Sequence, residues 1–92
     1  MGNLNEAGYE IGGDWVNVHA LTGSRAGARF LHYNSDNDIE YYEGDSAPSA
    51  AARGIPFRAG ERQIFETPSG DTLYMRTINR GSTTTRIIVA EV

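Results

Sequence analysis

The sequence predicts an all-β fold, a small antiparallel β-sandwich or jelly-roll-like barrel of about six to eight short strands. Three observations carry that expectation. Apolar and polar residues alternate in segments of about five to eight residues, the period of a half-buried strand. These segments recur about every ten residues, with Gly, Asn, Asp, Ser or Pro clusters between them. The composition also suits strands and turns: 92 residues hold 11 glycines and 5 tyrosines, and all eight positive charges are arginine, with no lysine. Helical surfaces are usually filled with Lys, Glu, Leu and Ala instead.

Residues 1–13, MGNLNEAGYEIGG, show no useful periodicity and are expected to form a flexible arm ahead of a single sandwich domain over 14–92. Tyr9 and Ile11 are the arm's apolar anchors, because isolated apolar side chains on a tail gain burial only from a partner or from the domain edge. DWVNVHAL, residues 14–21, alternates and predicts a strand with Val16, Val18 and Ala20 on one face. After the turn TGSRAG, residues 28–34 predict a second strand, in which Leu31 and Tyr33 oppose Phe30 and His32. SDND breaks it, and IEYYE (39–43) predicts a third strand, paired with the second as a hairpin.

GDSAPSAAARG, residues 44–54, is rich in small residues and predicts a long surface loop with room for one helical turn at 49–53. Pro56 holds the chain extended before the next strand. Residues 62–67 and 72–79 predict two strands joined by PSGD, in which Gly70 supplies the positive φ of a tight hairpin turn. The last strand, 85–92, carries Ile87 and Val89 on one face and Ile88, Ala90 and Val92 on the other. A strand apolar on both faces is either central in a layered core or covered by another subunit. In so small a chain part of that surface is expected to meet a second subunit.

Bulk properties exclude several function classes. A net charge of −4 without a basic stripe lacks the electrostatic footprint of a nucleic-acid binder. No apolar run approaches the roughly 20 residues of a membrane span. Cysteine is absent, so neither disulfides nor thiolate metal sites are available.

Candidate chemistry is thin. His19 and His32 could bind a metal only if their strands paired, and two imidazoles without a placed carboxylate or thiol rarely suffice. Asp36, Asn37 and Asp38 are oxygen-bearing, but they have the spacing of a turn and not of a calcium loop. Asp38, Glu40 and Glu43 offer carboxylate pairs with nothing in the sequence to separate their pKa values. A nucleophile elbow and a phosphate-cradling glycine loop are both missing. The expectation is therefore no enzyme, no cofactor and no metal. The aromatics Trp15, Tyr33, Tyr41, Tyr42, Phe57 and Tyr74 fit cross-strand packing or a protein interface better than a sugar-stacking face, although a glycan ligand is the alternative.

A series of short segments carries a family resemblance: Phe30 to Ser35, Ile39 to Gly44, Ala47-Pro48, Arg53-Gly54, Arg58 to Gly60, Leu73 to Arg76, and Ile87 to Glu91. In this order they resemble the small β-sandwich virion proteins of tailed bacteriophages, the group that includes capsid decoration (cement) proteins and small head or tail adaptors. The likeness covers about residues 28–92. It implies a structural protein made in the host cytoplasm and carried on the capsid surface. Its expected partners are the major capsid protein or another virion protein, and further copies of itself as a dimer or trimer. The alternative within the same resemblance is a carbohydrate- or receptor-binding module of a head fibre or tail. The residues expected at the contact surface are Tyr9, Ile11, Tyr41, Tyr42, Arg53, Phe57, Arg58, Ile88 and Val92, because Tyr and Arg are enriched at protein interfaces and the last strand has apolar surface to spare.

Overall fold

A computed structural model describes residues 8–79 and 83–92. Two four-stranded antiparallel sheets pack face to face: sheet A in the order β1-β8-β3-β6 and sheet B in the order β2-β7-β4-β5. The strands are β1 (Tyr9–Ile11), β2 (Val16–Asn17), β3 (Phe30–Asn34), β4 (Ile39–Gly44), β5 (Ile55–Phe57), β6 (Arg62–Phe65), β7 (Thr72–Thr77) and β8 (Thr85–Glu91), with one short helix, α1 (Val18–Thr22), after β2. β1 pairs with β8, β2 with β7, β3 with β6 and β4 with β5. The chain is thus one long hairpin, bent between β4 and β5 and rolled up, which is the topology of an eight-stranded jelly roll. Pairing of β3 with β8 and of β4 with β7 closes each sheet.

Two expected hairpins are corrected by this topology. β3 and β4 lie in different sheets, and so do β6 and β7. The turns themselves form where the sequence places them: Asp71 N–H donates to Pro68 O at 3.0 Å, and Gly70 has φ +93°. Each connection other than the β4–β5 bend crosses from one sheet to the other, so a good turn signal marks a corner of the roll and not a pair of neighbours.

The arm expected over residues 1–13 is corrected for the residues described. Residues 9–11 form β1 at the edge of sheet A, and Ile11 is buried. The expected anchors find the domain's own edge; residues 1–7 lie outside the described residues. The strand expected over 14–21 is also corrected, to the two residues of β2 followed by α1. Its alternation suits either state, and the caps decide. The Asn17 side chain accepts a hydrogen bond from Ala20 N–H at 3.0 Å, and Gly23 closes the turn at φ +79° with its N–H on His19 O.

Ten buried apolar side chains fill the space between the sheets: Ile11, Val18, Phe30, Ile39, Phe57, Phe65, Leu73, Met75, Ile87 and Val89. Phe65 is met edge-on by Tyr41 (4.8 Å between centroids), His32 (4.9 Å) and Phe57 (5.7 Å), a geometry worth about 0.5–1.5 kcal/mol per pair beyond burial. Buried polar groups at one end close a local network. Thr85 Oγ1 donates to Asn34 Oδ1 at 2.6 Å and accepts from the backbone N–H groups of Asp36 and Asn37. Asn34 Nδ2 donates to the carbonyls of Asn37 and Phe57. The β3–β4 corner is held this way.

Candidate interaction surface

The outer faces of the two sheets differ. On sheet B, alternation turns Glu40, Tyr42, Tyr74 and Arg76 outward, and the bend between β4 and β5 folds back over them. Arg76 is buried there. Its Nε donates to Glu40 Oε2 at 2.8 Å, Nη1 to Ala50 O at 2.9 Å and Nη2 to Ala52 O at 2.5 Å. Trp15 stacks over the guanidinium at 4.2 Å and donates from Nε1 to Ser49 O at 3.1 Å. Glu40 Oε1 accepts from Gly54 N–H at 2.7 Å. Gly54 is required: a Cβ there would collide with the Tyr41 carbonyl and touch Trp15. Sheet B therefore carries its own roof.

Sheet A has no such cover among the described residues. The register places Leu31 beside Ile64 and Ala90, and Tyr33 beside Arg62 and Ile88, all on the outer face. Ile64 is 45% exposed and Val92, at the end of the same strand face, 64%. Leu31, Tyr33, Arg62, Ile88 and Ala90 line a shallow depression of about 220 Å³. The Arg62 guanidinium lies over the Tyr33 ring at 5.9 Å. The double apolar character of the last strand is explained here: β8 is central in sheet A, Ile87 and Val89 enter the core, and Ile88 and Ala90 remain on the bare face.

Of the residues expected at the contact surface, Ile88 and Val92 fall on this face. Ile11 and Phe57 do not qualify, because both are core side chains with at most 1% exposure. Tyr9 and Tyr41 are half-buried and pack against the core, and the Tyr41 hydroxyl accepts from Gln63 Nε2 at 3.1 Å. Tyr42 and Arg53 are exposed on the roofed side, Tyr42 beside Trp15 with centroids 6.4 Å apart. Arg58 is exposed and paired with Asp38 at 3.0 Å. Leu31, Tyr33, Arg62, Ile64 and Ala90 were not among the expected residues. Their shared parity with Ile88 is readable strand by strand, but which strands adjoin is not.

The candidate catalytic and metal groups are dispersed. His19 lies in α1 and His32 points into the core from β3, so their strands do not pair. Burial pushes His32 down to about 4, only partly offset by its bond to the Phe30 carbonyl. Its Nδ1 lies 3.3 Å from that carbonyl, and its Nε2 has no hydrogen-bond partner. Asp38 accepts from Ala59 N–H at 2.9 Å and from Arg58, and these bonds hold its carboxyl below the usual range. For Glu40, burial acts upward, but the Gly54 N–H and the Arg76 guanidinium outweigh it and leave the group lowered. Neither carboxyl is raised as a general acid would need. Among the described residues no three His, Asp or Glu side chains are placed to hold a metal. A larger open recess of about 510 Å³ lies on the roofed side between Trp15, Pro48 and Arg76. The arginine at its floor is already committed to Glu40, Ala50 and Ala52.

Comparison of the chain with protein-family models, characterised proteins and solved structures found no match.

Proposed function

We propose that this chain is a non-enzymatic docking protein of a larger assembly and acts as a capsid decoration protein on the shell of a tailed bacteriophage. One observation carries the reading: a two-layer roll roofs one sheet with its own chain and, among the described residues, leaves the other with an uncovered apolar face and a shallow depression. Such a face supports a contact role for this side of the domain. The choice of assembly rests on the family resemblance over about residues 28–92. The jelly roll is compatible with it but hosts many functions and adds only an analogy. Co-sedimentation of the purified chain with empty shells of the phage that encodes it tests the proposal. Saturable binding to expanded shells is expected, and its absence would overturn the capsid assignment.

A second reading is a glycan-binding module. It is favoured by the exposed Tyr42 next to Trp15 at the larger recess. Tryptophan fluorescence titrated with a panel of sugars decides it: a saturable shift lost in Tyr42→Ala supports the glycan reading, and no shift removes it.

A further inference from the structure

Building on this docking role, we infer that the bare face of sheet A seats on a protein surface that presents carboxylates around an apolar patch, repeated so that several copies bind side by side. The charge pattern is the first argument. The chain carries −4 overall, but among the described residues the outward positions of this face and its margins hold three arginines (29, 62 and 86) against two glutamates (10 and 66), a net of +1.

The pairing of the arginines is the second. Arg25, Arg58 and Arg76 each hold a carboxylate within 3.0 Å. Arg29, Arg53 and Arg62 are exposed and form no ion pair among the described residues; Arg53 lies on the roofed side, and Arg29 and Arg62 lie on this face. They stand on either side of the Leu31–Ile64 pair, so two guanidinium forks flank the apolar patch. Guanidinium forks match carboxylates in a fixed bidentate geometry, and the Arg62 guanidinium lies over the Tyr33 ring. A second copy placed face to face would set two faces of the same net sign together.

Size is the third. Four short strands with their margins present about ten outward positions, well under the roughly 20–30 residues a side of a standard interface. One seat is weak, and retention follows from many seats on a repeating surface.

The test compares wild type, Arg29→Glu/Arg62→Glu, Ile64→Asp and Arg53→Glu for binding to empty shells at low and high salt, with circular dichroism confirming the fold of each. The double arginine variant and Ile64→Asp are expected to lose about tenfold or more in affinity. Binding by wild type is expected to weaken with salt, and Arg53→Glu, on the roofed side, to bind as wild type does. Should wild type bind while both face variants bind equally well, the face assignment fails and the docking role stands. Should wild type not bind shells at all, the docking role itself fails and this inference with it. A wild-type dimer in analytical ultracentrifugation that Ile64→Asp dissociates would make a second copy the occupant and overturn the inference.

Discussion

Arg76 and Glu40 form an ion pair at 2.8 Å on the outside of sheet B, with side chains only 2% and 3% exposed. The pair is dry because residues 47–54 and Trp15 close over it, and those residues are held in place by the same guanidinium. A charged pair thus serves as the contact between a sheet and the bend of its own chain. Burying it costs desolvation, offset here by bonds to two carbonyls, a backbone N–H and an indole face.

Breaking one member is expected to cost more than removing both. Arg76→Met leaves a buried carboxylate without its cation, and about 3–5 kcal/mol of stability is expected to be lost in urea denaturation. The double variant Arg76→Met/Glu40→Leu is expected to recover part of that loss. In both, amide hydrogen exchange of residues 47–54 is expected to quicken while the core strands keep their relative protection.

Gly54→Ala sets a methyl group against the Tyr41 carbonyl and Trp15. A loss of about 1–3 kcal/mol is expected from the displaced bend, together with a shift in Trp15 fluorescence.

The Asn34–Thr85 bond ties the β3–β4 corner to β8. Thr85→Val keeps the shape and removes the acceptor used by two backbone N–H groups. A loss of about 1–3 kcal/mol is expected by chemical denaturation, with faster exchange at Asp36 and Asn37.

His32 makes the core sensitive to acid. Its folded value of about 4 lies below the ordinary 6.5, so between those pH values the unfolded chain binds a proton that the folded chain refuses. Stability is therefore present above about pH 6.5 and is lost as pH falls towards 4, by about 3 kcal/mol in all. His19 is lowered as well, by burial, and acts in the same direction. Asp38 and Glu40 are lowered carboxyls, so their contribution is lost in a separate, more acid window. Urea midpoints measured from pH 7 to pH 4 are expected to flatten most in His32→Leu, the more deeply buried imidazole, and to lose only a smaller part of their slope in His19→Gln.

Much of the local structure is legible in the residues. β3, β4, β6, β7 and β8 lie within two residues of the alternating segments that predict them, and the 68–71 turn and the Ser49–Ala52 turn form in place. Capping at Asn17 and Gly23 is legible too, but it competes with an alternation that suits a strand equally well.

Alternation along one chain segment assigns side chains to two faces and is silent on what covers each. The sequence by itself determined that this protein is built of short strands with apolar surface to bury, and that its last strand is apolar on both sides. Only the tertiary structure decided that β1 pairs with β8, that the turns are corners between sheets, and that the β4–β5 bend roofs sheet B. The physical reason is that burial is set by pairings between residues far apart in the chain. Ile11 and Phe57 enter the core, and Leu31, Ile64 and Ile88 meet on one bare face, through neighbours that no local pattern names.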